Sequence, residues 1–203
     1  MFKKFAAEAL GLSDIGVIVP PKDFDKVDSD DYLFTEDGEK IFFLIKSKKD
    51  EYCFTNLALI HVDGDSAVSS KRSIRRYEYA SHRIAEVAIE TAGTVDLDVE
   101  LKFTLDADVR FSIDVRKSFI EQVKDIYKAL HTIGKLQVLD AHGRQHALHC
   151  LGQLGSMFKL NDASSAEVPV RYFDALLAGV NDAVLQRHTR RDFSTVFEKY
   201  IHA

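Results

Sequence analysis

Tryptophan is absent from the 203-residue chain, and cysteine, methionine and proline are scarce, at two, two and three residues. Two cysteines, Cys53 and Cys150, are too few for a disulfide framework, and they fit a chain that lives in a reducing cytoplasm. Ten glycines and three prolines, with no periodic recurrence, exclude collagen-like and low-complexity architectures. No stretch approaches the roughly 18 uninterrupted apolar residues of a membrane-spanning helix. Residues 1–10 carry Lys3 and Lys4 without the apolar core of a signal peptide, which strengthens the cytoplasmic expectation. The formal net charge of -5 denies the chain the basic surface that counterion release requires, so nucleic acid is not an expected partner. Motifs for covalent or nucleotide chemistry are missing as well: there is no nucleophile elbow, no GxxxxGK[ST] loop and no GxGxxG. Neither cysteine sits in a nucleophile motif. No enzymatic activity and no cofactor are expected.

What is present is an ordinary globular composition, 46% hydrophobic and 29% charged, whose pattern changes near Ser118. Before Ser118 apolar residues recur every second position; after it they recur with a helical period. The clearest strand is Val95–Phe103, in which Val95, Leu97, Val99, Leu101 and Phe103 alternate with Asp96, Asp98, Glu100 and Lys102. Successive strand side chains point to opposite faces, so one face is apolar and the other wet. Asp106-Ala107-Asp108 supplies turn residues before a second alternating run, Val109–Val115, and the pair predicts an antiparallel hairpin. Upstream, strands are predicted at 40–46, 51–55, 57–62, 71–79 and 83–91, the last ended by Gly93. The first of them is apolar throughout and expected to be covered on both sides. Seven short strands at this spacing indicate a sandwich or barrel rather than parallel βαβ units. A short amphipathic helix, with Phe2, Phe5, Ala6, Ala9 and Leu10 on one face, is expected ahead of them as a lid.

After Ser118, a capping pattern with Glu121 introduces Phe119, Val123, Ile126, Leu130 and Ile133 at helical spacing, a stripe suited to covering a sheet. Gly134 and Gly143 are expected to weaken this helix. Two further apolar sets follow: Leu148, Leu151, Leu154 and Phe158, then Tyr172, Phe173, Leu176, Leu177, Val180 and Val184. A last amphipathic turn carries Phe193, Phe197 and Tyr200. Two helices joined by a loop bury only one side of themselves, so Leu148, Leu151, Leu154, Phe158, Phe173, Leu176, Leu177, Val180 and Val184 are expected to pack against sister subunits.

Seven strands closed by one C-terminal helix is the plan of the pleckstrin-homology (PH) fold. The segment Ile89-Glu90-Thr91-Ala92-Gly93-Thr94-Val95-Asp96-Leu97-Asp98-Val99-Glu100-Leu101 resembles the signature of the bacterial PH family. Phe54-Thr55-Asn56-Leu57-Ala58-Leu59-Ile60-His61-Val62-Asp63 resembles its second and third strands. The helical remainder resembles, by position and length, the oligomerisation extension of the YvbH-like branch. The resemblance implies an α+β chain: a PH-like seven-stranded antiparallel sandwich at 1–133, then an α-helical oligomerisation region at 134–203. It implies a homo-oligomer with no established enzymatic activity and a partner, such as another protein, left unnamed.

Lipid-binding PH domains place a lysine on the first strand and Arg-x-Arg on the second. Here Lys46, Lys48 and Lys49 supply the loop charge as candidate ligand-binding residues, but Tyr52-Cys53-Phe54-Thr55 has no arginine, which argues against phosphoinositide binding and leaves a weak anionic-membrane-surface binder as one alternative. Another alternative is a metal site. His142, His146 and His149 are spaced four and three apart, on one helical face, and imidazoles so placed are suited to Zn²⁺, Ni²⁺ or Cu²⁺. The carboxylates Asp96, Asp98 and Glu100 share one strand face and read as its wet side. Arg187-His188-Thr189-Arg190-Arg191 is a basic cluster that suits a helix C-terminus.

Overall fold

The structure is a computed structural model that describes residues 13–64, 72–91, 98–157 and 167–201. Among the described residues, eight antiparallel strands form two sheets. The first sheet runs in the order β1 (Val17–Ile18), β2 (Ile41–Lys46), β3 (Glu51–Thr55), β4 (Ala58–Gly64) and β5 (Arg72–Glu78). The second runs β6 (Ile84–Glu90), β7 (Asp98–Leu105) and β8 (Val109–Arg116). The seven expected strands are present, and β1 is an addition too short to leave a period-two signal. A parallel bridge from Gly16 to Val115 joins the two sheets at one corner.

Between the sheets, Phe43, Ile45, Phe54 and Leu59 face Leu101, Phe103, Phe111 and Ile113, all buried. Phe103 stacks on Phe111 with centroids 4.8 Å apart, and Phe54 meets Phe103 at 6.2 Å. The other face of the first sheet is also dry. Leu44, Cys53, Ile60 and Val62 pack with Val19 and Val27 into a second apolar cluster. The cover there is a segment of 3-10 turns, Pro21–Lys26 and Asp28–Tyr32, pinned by the buried Glu51 carboxylate, which accepts the N–H groups of Asp28 (3.3 Å) and Ser29 (3.0 Å). This explains the uninterrupted apolar run of β2.

Helix α1 spans Ile120–Met157 without interruption, and a 3-10 turn at Lys117–Phe119 that runs through Ser118 leads into it. Its first half buries Val123, Ile126, Leu130 and Ile133, the expected stripe. The two glycines do not weaken it. A Cβ at Gly134 would lie 2.5 Å from the Ile84 carbonyl oxygen, and one at Gly143 would lie 2.4 Å from Nδ1 of His188. Each glycine lets another part of the chain approach the helix backbone closely. Helix α2 covers Glu167–Asn181, with Pro169 in its first turn, and a π-helical turn follows at Asp182–Arg187. Helix α3 is Ser194–Tyr200.

The chain divides into two compact units, the first division lying one residue beyond position 133, while the C-terminal segment groups differently from the 134–203 region expected from sequence. Lys135–Arg190 forms one unit, whereas the segment from Arg191 belongs with the residues up to Gly134. Phe193 and Phe197 are fully buried there, with Phe197 stacked on Phe42 at 5.0 Å and near Tyr79 at 6.3 Å. Polar contacts fasten the same segment. The Phe193 N–H donates to Asn56 O (2.9 Å), Lys40 pairs with Glu198 (2.9 Å), and the Thr132 and Tyr200 hydroxyls share a hydrogen bond (3.0 Å). The expected lid helix at residues 2–10, the expected turn at Gly93 and the expected loop between the two tail helices lie outside the described residues.

Candidate functional site

The turn between β2 and β3 is built by Ser47. Its hydroxyl accepts the N–H groups of Lys49 (3.2 Å) and Asp50 (3.0 Å), which folds residues 47–50 back on themselves. Lys48 and Lys49 are exposed on this turn. Lys46 is not available beside them: it is buried and forms an ion pair with the buried Glu51. Next to the turn the ring of Tyr52 stacks on His61, centroids 4.6 Å apart, and the edge of Phe111 closes the cluster. His61 Nε2 lies 3.3 Å from an Asp50 carboxylate oxygen. The Tyr52 phenol is held well above its ordinary pKa, first by burial and then by the negative charge of Asp50, Asp63 and Asp114. This end of the sandwich is aromatic and acidic. Among the described residues, Lys48 and Lys49 are the exposed lysines of this turn, and the carboxylates of Asp50, Asp63 and Asp114 act on the neighbouring Tyr52. The pairing of Tyr52 and His61 was readable only as inward positions on adjacent strands.

The histidine row gains no support as a metal centre. His142, His146 and His149 are exposed along α1, and His146 Nε2 lies 3.8 Å from Cys150 Sγ. Among the described residues, no three His, Cys, Asp or Glu side chains come together in a metal-holding arrangement. The spacing sets the imidazoles on one face, but among the described residues no other element completes a three-ligand group with them. On the wet side of β7, Glu100 accepts from Ser112 and pairs with Lys102 (2.9 Å), contacts that hold its carboxyl below the ordinary range. That pairing answers its charge within the sheet. Asp96 lies outside the described residues.

In the second unit, α1 and α2 meet where a Cβ at Gly179 would lie 3.4 Å from Leu151 Cδ2, and beyond α2 His188 covers Gly143, with Arg144 donating to the His188 carbonyl. Leu151, Leu176, Val180 and Val184 are half-buried. Leu139, Leu148, Phe173 and Leu177 stand outward, 55%, 46%, 64% and 46% exposed. The Leu154 side chain and Phe158 lie outside the described residues.

The sequence profile of the family described as "Bacterial PH domain" matches residues 9–133. The chain belongs to this family. Over its whole length the bacterial PH chain is 48% identical, across 204 aligned positions covering all of both chains, to the uncharacterized protein YvbH of Bacillus subtilis (strain 168). It is 31% identical over 97 residues to the uncharacterized protein YjqA of the same organism, a match spanning 48% of this chain and 76% of YjqA. Its fold is similar to the crystal structure of a PH-domain-containing bacterial protein from Exiguobacterium sibiricum 255-15. That match has a TM-score of 0.81 and 45% identity, and covers 93% of this chain and 100% of the other. The family profile ends just where α1 leaves the sandwich, whereas the likeness to YvbH and to the Exiguobacterium structure continues through the helical unit. Among the described residues, no helix is long and apolar enough to cross a membrane.

Proposed function

We propose that this bacterial PH chain is a non-catalytic binding and scaffolding module that self-associates through its helical unit. The observation that supports the reading is the apolar stripe left outside that unit, above all Phe173 and Leu177, which lie four residues apart on one face of α2. Soluble monomers rarely leave several large apolar side chains in one contiguous exposed patch, and a second copy of the same patch is the simplest cover. Multiplying a weak binding face in this way raises avidity without a tight single site. The free thiols of Cys53 and Cys150 fit a cytoplasmic location.

Sedimentation equilibrium of the full chain tests the reading. The full chain is expected to sediment as an oligomer, and a Phe173→Ser, Leu177→Ser double variant as a monomer with unchanged secondary structure. A full chain that is itself monomeric at tens of micromolar overturns the proposal.

A further inference from the structure

A cleft of about 660 Å³ opens in the sandwich unit. Its volume falls within the range of about 300–1,000 Å³ typical of small-molecule sites. The backbone creates it. β1 runs beside β2 for two residues, with Val17 opposite Lys46 and Ile18 opposite Ile45. After one more hydrogen bond, from the Val19 N–H to Leu44 O (2.9 Å), the chain turns away through Pro20 and Pro21 into the 3-10 cover. Prolines have no N–H to continue a ladder, so β1 leaves the flank of β2 before it reaches Phe43 and Phe42. There the register of β2 against β3 shifts, between Ile41 and Phe43. Phe42 lies inside that irregularity, and bulges recur beside binding sites because they re-aim a side chain.

Three phenyl rings from separate elements line the cleft: Phe24 from the 3-10 cover, Phe42 from the bulge and Phe119 from the turn that leads into α1. Each is half-buried, so each keeps apolar surface that the fold has not used. Two charged residues border the cleft, and neither is without a partner. Arg116 has a further interaction within the protein, and Asp125, 6% exposed, pairs with Lys128 at 3.0 Å. A charged ligand would shed hydration with no waiting counter-charge, which is unfavourable. An uncharged aromatic molecule gains by leaving water, and its rings pack edge-on or offset against the phenyls.

We propose that this cleft binds an uncharged aromatic small molecule, its rings among Phe24, Phe42 and Phe119. Every lining residue belongs to the sandwich unit, so occupancy does not depend on self-association.

Two dyes test this, N-phenylnaphthylamine and anilinonaphthalenesulfonate. They share a ring skeleton, differ by one sulfonate, and brighten in apolar surroundings. They are titrated into the full-length Phe173→Ser, Leu177→Ser variant, in which the exposed stripe of α2 no longer offers a competing surface. The neutral dye is expected to bind saturably, about tenfold or more tighter than the sulfonate. It should also raise the melting temperature of the unmodified protein, by mass action on the folded state. In the same background, Ile18→Trp fills the cleft from a half-buried position, and Phe119→Ala removes one ring. Each should weaken the neutral dye about fivefold or more with far-UV circular dichroism unchanged. No saturable binding of the neutral dye overturns the proposal. So does the sulfonate binding as tightly, or unchanged affinity for the neutral dye in either folded variant.

Discussion

Replacing Phe197 with alanine tests whether the C-terminal segment is part of the sandwich core. The ring is fully buried, stacks on Phe42 at 5.0 Å, and lies 6.2 Å from Phe43 and 6.3 Å from Tyr79. Truncating a buried phenylalanine costs about 3–5 kcal/mol, and the loss of three aromatic partners places this site toward the upper half, near 4 kcal/mol. Total domain stability is about 5–15 kcal/mol, so the change removes a large share of it. With a urea dependence of about 2 kcal/mol per molar, the unfolding midpoint falls by about 2 M. Far-UV circular dichroism in urea measures this. Both proteins are compared at one concentration, since any self-association couples stability to mass action. The exposed Phe173→Ala serves as the reference, with an expected change within about 0.5 kcal/mol. A loss below about 1 kcal/mol for Phe197→Ala would show that the segment from Arg191 merely rests on the sheet, and the division of the chain described above would fall with it.

Two glycines of α1 are expected to respond to alanine with opposite signs. Alanine favours a helix over glycine by about 1 kcal/mol, so Gly152→Ala, with nothing within 4 Å, should stabilise by roughly 0.5–1 kcal/mol. Gly134→Ala drives a methyl to 2.5 Å from a backbone carbonyl and should destabilise by about 1–2 kcal/mol after the helix gain is subtracted. Equal signs in thermal melts refute the close-approach account. The acid limb of stability offers a separate check at Asp192. Burial alone would raise its pKa, but hydrogen bonds from Ser194 and Asn56 hold it below the ordinary value of 3.8. A depressed folded pKa contributes stability that is present above the unfolded value and lost as pH falls through the folded one. Asp192→Asn should therefore flatten the stability curve between about pH 4 and 2, while an unchanged acid slope refutes the contribution.

The strands were legible because one-sided burial writes itself as alternation. β8 reads Val109, Phe111, Ile113 and Val115 inward, and each residue faces the sandwich as the pattern requires. β1 was not legible, since two residues carry no period. The 3-10 cover at 21–32 was also invisible: its sequence, Pro-Lys-Asp-Phe-Asp-Lys-Val-Asp-Ser-Asp-Asp-Tyr, is mostly polar, and only the dry second face of β2 hinted that something lay there. The glycines of α1 were read through propensity, a local term of about 1 kcal/mol. Tertiary contact decided them instead. Lys46 was read as loop charge because the turn signal of Lys48 and Lys49 stood beside it. Its position at the end of β2, across from Glu51, is a pairing that only the hairpin register reveals.

The last helix shows why a hydrophobic stripe does not name its own cover. Phe173 and Leu177 on α2, and Phe193 and Phe197 at α3, are indistinguishable as apolar pairs four residues apart. What separates them is the polar chemistry alongside. Asp192 next to Phe193 reaches Asn56, and Glu198 next to Phe197 reaches Lys40, so α3 carries groups whose partners lie on the sandwich it covers. Near Phe173 and Leu177 stand Arg171 and Asp174, both exposed, and no ion pair is found for either among the described residues. An apolar face whose neighbouring charges find partners within the chain is an internal face. One whose neighbouring charges remain in solvent is an external face, and the proposed assembly would cover it with a second copy. That distinction is the reason the proposed assembly rests on α2 and the second half of α1 rather than on the whole helical tail.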